Sequence, residues 1–280
     1  MMILLIDAGN TLVKLGWFQP STGRREAEPL SLPHTQLEEA AAWLDHLPEP
    51  AHAAYGVSVA GPAVRQGLET VLAARSIRIE WVGGETEALG VRNAYDSPGQ
   101  LGADRWVGLL GLAEHLRTGR PSEAREPVAA RPAILASFGT ATTIDTLLPA
   151  PDTHPLQYTF RGGLILPGPA TMRSSLARAT AQLPEAEGTG ALYPTHTHQA
   201  IVTGIAAAQA GAVLRQWLAG LDLAGHAPDI YATGGGWPLV QDETRRLLAL
   251  TAARLGLPEA AIHWLPRPVL DGLAGLARRK

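Results

Sequence analysis

A polar turn follows the apolar run that opens the sequence, and its residue types suit phosphate binding. The turn reads Asp7-Ala8-Gly9-Asn10-Thr11. Gly9 permits a tight turn with exposed backbone N–H groups, and such concave turns bind anions. Asn10 and Thr11 add donors, and Lys14, just beyond the turn, would bring a point charge toward the anion. The pattern predicts a phosphate-binding hairpin; the alternative is an ordinary polar turn with a solvated lysine.

Lysine is almost absent from the rest of the chain. Of 23 basic residues only Lys14 and Lys280 are lysine, and the others are arginine. A lysine kept where the chain otherwise uses arginine favours a functional role for Lys14. Asp7, just before the turn, has a carboxylate that could hold Mg²⁺ through water, as magnesium prefers.

Two other segments carry candidate groups. Gly139-Thr140-Ala141-Thr142-Thr143 follows a second apolar run and offers hydroxyls in a small-residue turn; the alternative is a strand rich in threonine, which strands favour. Asp104 and Arg105 fall at the start of an expected helix. There they could be catalytic, or they could be an acid favoured by the helix dipole beside a surface arginine.

The elements that position these groups form two similar halves. In each half an apolar strand leads through a glycine turn into a second strand, and Gly9 and Gly139 correspond. This indicates a duplicated α/β domain with two hairpins. Thr35 to Glu38 has the form of a capping box, which predicts a helix from there to about Leu47. Further helices are expected near Gly102–Leu116, Pro169–Gln182, Thr197–Leu218, Leu239–Leu255 and Val269–Arg278, with a surface connection over Thr118 to Pro132.

Composition excludes several classes of protein. The formal net charge is -3 and the chain has no basic run, which argues against nucleic acid or an anionic membrane as a partner. The first residues lack the features of a signal peptide, and no apolar run is long enough to span a membrane. Because there is no cysteine, neither disulfides nor thiolate metal sites are expected. A cytoplasmic enzyme is the expectation.

Together these segments resemble the type III pantothenate kinases of the acetate and sugar kinase/Hsc70/actin superfamily, nearly from end to end. Gly102-Ala103-Asp104-Arg105, placed between the two hairpins, is the most specific match. The other matching segments are Asp7 to Thr11 with Lys14, Asn93-Ala94-Tyr95, Gly139 to Thr143, Gly162-Gly163 with Pro167-Gly168, Thr197 to Ile201 with Gly204, Thr233-Gly234-Gly235 and Leu270-Asp271-Gly272-Leu273.

The resemblance implies a role for each matched residue. Asp104 would be the general base that takes the proton from the primary hydroxyl of pantothenate. ATP phosphates and Mg²⁺ would be bound by Asp7, Gly9, Asn10, Thr11 and Lys14, with Gly139 and Thr140 contacting ATP from the second hairpin. The pantothenate pocket would be lined by Tyr95, Gly102, Ala103 and Arg105, and Thr197 would complete it from the second subunit of a homodimer.

These implied roles agree with elementary chemistry. Phosphoryl transfer needs mainly positioning, charge neutralisation and one acid to orient the nucleophile. An arginine fork is a natural anchor for the carboxylate of pantothenate. The implied fold is two ribonuclease H-like, actin-like ATPase lobes with mixed sheets and ATP in the cleft between them. Residues 1–118 would form the lobe with the first hairpin and the substrate motif, and residues 133–280 the lobe with the second hairpin.

One position departs from the family pattern. The family usually has an aspartate before the second glycine turn, where it holds a monovalent cation, K⁺ or NH₄⁺; this chain has Ser137. A serine offers only a dipole, so a weak cation site is expected there. Asp145, eight residues later, is an alternative source of the missing charge, provided that it shares the facing of Ser137.

Two other functions remain open. One is a sugar or carboxylate kinase of the same superfamily, which the Gly102 to Arg105 segment disfavours. The other is a non-catalytic ATP-binding regulator with this fold, which the presence of Asp7, Lys14 and Asp104 disfavours. The pair His196 and His198 is interpreted as a polar helix entry and not as a metal site, because no further ligands lie nearby in the sequence.

Overall fold

The computed structural model describes residues 2–119, 131–150 and 156–279. Most of the connection predicted over Thr118 to Pro132 lies outside the described residues. The chain forms two compact units: the first contains the described residues of Met1–Glu123, His154–Gln157 and Arg267–Lys280, and the second those of Ala124–Thr153 and Tyr158–Pro266. Among the described helices, none combines the length and the apolar character that crossing a bilayer requires.

Both units contain strands and helices. The strands are β1 (Met2–Ala8), β2 (Leu12–Gln19), β3 (Arg24–Arg25), β4 (Leu30–Pro33), β5 (Ala51–Ser58), β6 (Arg78–Trp81), β7 (Glu87–Ala88), β8 (Val91–Asn93), β9 (Ala133–Phe138), β10 (Ala141–Pro149), β11 (Tyr158–Pro167), β12 (Asp229–Thr233) and β13 (Ile262–Trp264). The helices are α1 (Glu39–Asp45), α2 (Pro62–Ala73), α3 (Ala103–Thr118), α4 (Pro169–Ala179), α5 (Thr197–Ala224), α6 (Trp237–Arg254) and α7 (Pro268–Ala277). The five helices predicted from residue 102 onward are confirmed.

The first sheet has the strand order β3-β2-β1-β5-β6, with β4 also paired to β2. Strand β1 is antiparallel to β2 and parallel to β5. Side chains alternate between the two faces of a strand, and Leu4, Ile6 and Ala8 point into an apolar core. Asp7 therefore faces the opposite side, together with Lys14, its cross-strand partner on β2.

Helices α3 and α7 pack against each other in the first unit, and α7 also contacts β1. A methyl group added at Gly111 would clash with the carbonyl oxygen of Pro268, and one added at Gly272 would clash with that of Val107. The two glycines therefore let the helix backbones meet. Because of this contact the C-terminal helix belongs to the first unit, whereas the sequence expectation assigned residues 133–280 to the second lobe.

The second unit repeats the opening pattern of the first. Strands β9 and β10 form an antiparallel hairpin, and β12 pairs parallel to β9 as β5 does to β1. The order of its five strands is β13-β12-β9-β10-β11. One face of β9 and β12 packs on α5 and α6 through Phe138, Trp217 and Trp237. The duplication inferred from the two glycine turns is thus visible in the topology of each unit.

The capping-box prediction was wrong. Residues His34–Gln36 form a 3-10 helix, and α1 begins only at Glu39 without a side-chain cap. Strand β4 ends at Pro33, which pairs with Leu12 of β2. This pairing fixes the chain direction before Thr35, so the local capping signal does not decide where the helix begins.

Candidate active site

The turn between β1 and β2 is closed by a hydrogen bond in which Gly9 N donates to Leu12 O, at 3.0 Å. Asn10 and Thr11, at its tip, are exposed. Gly9 does not adopt a positive φ; instead, an added Cβ would lie 3.3 Å from Leu12 O. Glycine suits this position because the turn is tight, not because the backbone is left-handed.

Asp7 and Lys14 lie side by side at the base of this turn. They are a cross-strand pair, and both are half-buried. Burial raises the pKa of Asp7 to about 6; the Lys14 ammonium lowers it, and the Asp104 carboxylate raises it. The influence of Asp104 on this pKa indicates that its carboxylate lies near Asp7, although the two are far apart in sequence. The first unit therefore brings together two carboxylates and one ammonium.

The raised pKa of Asp7 leads to a prediction about stability. An acid whose pKa rises from 3.8 unfolded to about 6 folded destabilises the folded state progressively as pH increases through that interval. Asp7→Asn removes this cost, so we expect the variant to be more stable by about 1–2 kcal/mol above pH 7, allowing for solvent screening. Below pH 4 the two proteins should be equally stable. Urea unfolding in metal-free buffer, from about pH 3 to pH 8, measures the difference.

Asp242→Asn provides the control, because Asp242 is an exposed carboxylate on α6. Its stability should follow that of the wild type at every pH. A gain for Asp7→Asn that does not change with pH would mean that burial of the charge is not its cause.

Asp104 lies in the first turn of α3, where the helix dipole favours a negative charge. Its Oδ1 accepts a hydrogen bond from Arg105 N at 2.8 Å. A Cβ at Gly102 would lie 2.9 Å from the same oxygen, so glycine at this position leaves room for the carboxylate. Gly102, Ala103 and Asp104 thus form one turn that orients the carboxylate at the start of the helix.

Arg105 is 8% exposed and contacts Tyr95 in two ways. Its Nη1 donates to the Tyr95 hydroxyl at 3.1 Å, and its guanidinium carbon lies 5.8 Å from the ring centre. Tyr95 N donates to Asn93 Oδ1 at 3.1 Å, and Asn93 Nδ2 donates to Pro98 O at 3.3 Å. Asn93 therefore holds the loop that presents Tyr95, a positioning role that the sequence analysis did not assign.

The second hairpin turns tightly at Gly139, whose N donates to Ala141 O at 3.0 Å. The carbonyl of Thr140 accepts from Gly168 N at 2.9 Å and from Thr171 Oγ1 at 2.7 Å. Gly234, with φ +94°, leaves no space for a side chain, because a Cβ would lie 2.5 Å from Phe138 O. The glycines of Pro167-Gly168 and Thr233-Gly234 therefore shape the backbone around this turn.

Ser137 and Asp145 lie on the same face of the second sheet. Ser137 pairs with Thr143 and with Thr233, and Asp145 pairs with Leu135, two residues further along each strand of the hairpin. Asp145 is fully buried, whereas Ser137 is partly exposed. Asp145 therefore shares the facing of Ser137, as it must if its carboxylate is to supply the missing charge.

Thr197 is the first residue of α5 and belongs to the second unit, beside an apolar groove of about 510 Å³. The two histidines next to it have local roles: His196 Nδ1 accepts from Gln199 N at 3.4 Å, and His198 Nδ1 accepts from Glu187 N at 3.2 Å. Both rings therefore accept from backbone N–H groups, and His196 is the N-cap of α5, which agrees with the interpretation of this segment as a polar helix entry.

Comparison with known proteins identifies the family. The family model for type III pantothenate kinase matches residues 3–219. The chain is 48% identical over 278 residues to a type III pantothenate kinase of Bordetella bronchiseptica, covering 99% of this chain and 97% of that protein. It is 50% identical over 276 residues to that of Bordetella petrii, with the same coverage of both proteins.

Solved structures show the fold alone. A Listeria monocytogenes protein provisionally described as an N-acetylmannosamine kinase aligns with a TM-score of 0.53 at 13% identity, over 100% of both chains. The ethanolamine utilization protein EutJ of Carboxydothermus hydrogenoformans aligns with a TM-score of 0.50 at 10% identity, and the alignment covers 99% of this chain and 89% of that one. The mixed α/β units therefore have the actin-like ATPase and sugar kinase fold, and by its sequence relatives the chain belongs to the type III pantothenate kinase family.

Proposed function

We infer that this protein transfers a phosphoryl group from ATP to pantothenate, giving 4'-phosphopantothenate, the first step of coenzyme A biosynthesis, in the cytoplasm. Membership of the family supports the reaction. The observation that carries the inference is the cluster of Asp7, Lys14 and Asp104 beside the exposed turn of the first hairpin. Such a cluster supplies a charge for the phosphates, a carboxylate for a metal and a second carboxylate for the nucleophile.

Asp7 suits a water-bridged Mg²⁺. Its carboxylate is half-buried with a raised pKa, so a nearby divalent cation would favour the ionised form that burial disfavours. Magnesium, when bound, would neutralise charge on the phosphates of ATP. Lys14, with Gly9, Asn10 and Thr11, would bind the phosphates on one side, and Gly139 with Thr140 would contact ATP in the second unit.

Asp104 would accept the proton of the pantothenate hydroxyl. Its carboxylate is oriented at the start of α3 by the hydrogen bond from Arg105 N, and a general base must be positioned in this way. Arg105, oriented by Tyr95, would bind the substrate carboxylate through its guanidinium. Residues 1–118 would in this way supply the first phosphate hairpin and the substrate motif, and residues from 133 onward the second hairpin.

A product-identification assay distinguishes the candidate functions. Purified protein is incubated with ATP, Mg²⁺ and pantothenate, and the product is identified by mass; parallel reactions contain glucose or acetate in place of pantothenate. We expect a phosphorylated product only in the reaction that contains pantothenate. Phosphorylation of the sugar or carboxylate would favour the superfamily alternative, and ATP binding without any product would favour a regulator.

We also propose a homodimer in which Thr197 of each subunit completes the other pantothenate pocket. The groove beside Thr197 is lined by apolar side chains, including Met172, Ile201 and Ile205, which a second copy would cover. Gly204 also lines this groove and is exposed, and an added Cβ would meet no atom within 4 Å. Its replacement therefore fits one chain but obstructs a partner.

For Gly204→Asp we expect a monomer with little activity, measured by light scattering and by kinase rate under dilution. Leu239→Asp, which changes an exposed leucine on α6, is the control and should remain an active dimer. A fully active monomer of either the wild type or the variant would refute the proposed arrangement.

Monovalent cation activation should be weak. Ser137, Thr143 and Thr233 present hydroxyl oxygens on one face, and oxygen ligands suit hard cations. Without a carboxylate at position 137, we expect K⁺ or NH₄⁺ to activate only at high concentration, and Ser137→Asp to lower the concentration needed. The kinase rate is titrated with K⁺ at fixed ionic strength. Tight activation of the wild type that Asp145→Asn abolishes would instead assign the charge to Asp145.

A further inference from the structure

The phosphate-binding turn has a contact that none of the motifs includes. His34 Nε2 lies 2.9 Å from the carbonyl oxygen of Gly9. Because a carbonyl oxygen can only accept, Nε2 must be the protonated nitrogen that donates. His34 is partly buried in the 3-10 helix after β4, and the pairing of Pro33 with Leu12 holds it beside the turn.

The peptides on either side of Gly9 are both held through their carbonyl groups. The carbonyl of Ala8 accepts from Val59 N at 3.0 Å and from Ala60 N at 3.2 Å. The carbonyl of Gly9, in the next peptide, accepts from His34 Nε2; this peptide joins Gly9 to Asn10. The first of these contacts comes from the loop after β5, which pairs with β1, and the second from the segment after β4, which pairs with β2. Segments on both sides of the hairpin therefore fix its turn.

The orientation of this second peptide decides which group an anion would meet. In a trans peptide the C=O and the N–H point in opposite directions. A Gly9 carbonyl held by His34 therefore turns the N–H of Asn10 to the side away from the imidazole. Rotation of the peptide would exchange the two groups and direct a partially negative oxygen to the side where the N–H now points.

We propose that His34 is a positioning residue that locks the peptide between Gly9 and Asn10 with its N–H toward the phosphates of ATP. This inference rests on the proposed function, in which the turn binds those phosphates. His34 does not contact the substrate; it removes the alternative orientation, in which a carbonyl would repel the anion. The hydrogen bond from His34 fixes this peptide before and after phosphoryl transfer alike. Loss of the bond should therefore weaken ATP binding more than it slows the chemical step.

The test compares His34→Gln with His34→Met. The two side chains have similar length and shape, but only the glutamine amide can donate to the Gly9 carbonyl. For His34→Met we expect the KM for ATP to rise by about five- to tenfold, the effect of losing one hydrogen bond, with kcat changed by less than about twofold. His34→Gln should restore the KM for ATP, and neither variant should alter the KM for pantothenate.

His46→Met is the matched control. His46 also bonds a backbone carbonyl, with Nδ1 2.7 Å from Ala42 O, but it lies at the end of α1 away from the turn. Its KM for ATP should equal that of the wild type. A rise shared by His34→Gln and His34→Met, or no rise in His34→Met, would overturn the proposal.

Calorimetry with MgATP alone keeps this result separate from the proposed function. A wild type that binds MgATP but does not phosphorylate pantothenate would refute the proposed function only, and the same order of variants in Kd would still support the role of His34. A wild type that binds no MgATP would overturn both.

Discussion

Asp104→Asn is expected to lower kcat by about 10²–10⁴-fold, the usual contribution of a positioned general base. Asparagine keeps the Oδ1 that accepts from Arg105 N, so the start of α3 should be unchanged. What is lost is the negative charge that would receive the proton of the pantothenate hydroxyl. Steady-state kinetics and thermal unfolding of the same preparation separate loss of chemistry from loss of fold.

A matched control lies on the same helix. Glu114 on α3 pairs with Arg117 at 2.9 Å, one turn before the end of the helix, and Glu114→Gln changes an acid to an amide without touching the site. Its kcat should remain within about twofold of the wild type. If Asp104→Asn also turned over within about threefold, the assignment of the base would be wrong, since that is far below the usual range.

Removing the charge of Asp104 should also change the pKa of Asp7. The Asp104 carboxylate contributes to the raised pKa of Asp7, so the pKa of Asp7 should fall in Asp104→Asn. An NMR titration of the Asp7 carboxyl in the two proteins measures this shift. The result would test the proximity of the two carboxylates independently of any activity.

The first hairpin could be predicted in some detail from the sequence. A glycine turn between two short apolar strands fixes an antiparallel pairing, and this pairing places Asp7 opposite Lys14. The second hairpin could be predicted equally well, because it repeats the same local pattern. Both predictions depended on residues close in sequence, for which turn chemistry and strand alternation are sufficient.

Contacts between distant segments could not be predicted in the same way. The His34 contact depends on the pairing of β4 with β2, which overrode the capping signal at Thr35. The common facing of Ser137 and Asp145 required the register of the hairpin, because a bulge of one residue would have reversed it. Proximity of Asp104 to Asp7 required α3 to pack on the first sheet, which no local pattern specifies.

Helix α7 gives the clearest case of such a distant contact, and it leads to the second prediction of large effect. Gly111 of α3 and Gly272 of α7 face each other, and a Cβ on Gly111 would clash with Pro268 O and lie 2.9 Å from Gly272 N. These are backbone atoms of a helix, which cannot rotate away as a side chain does. Gly111→Ala must therefore push the two helices apart.

We expect Gly111→Ala to destabilise the protein by about 3 kcal/mol, at the upper end for overpacked cores, although alanine favours helices over glycine by about 1 kcal/mol. Gly211→Ala on α5 is the control, since an added Cβ there meets no atom within 4 Å, and it should be as stable as the wild type or more so. Urea unfolding measures both. Because α3 carries Asp104 at its start, activity of Gly111→Ala should fall at a lower temperature than that of the wild type. Equal stability of Gly111→Ala and the wild type would show that α7 does not pack on α3 through these glycines.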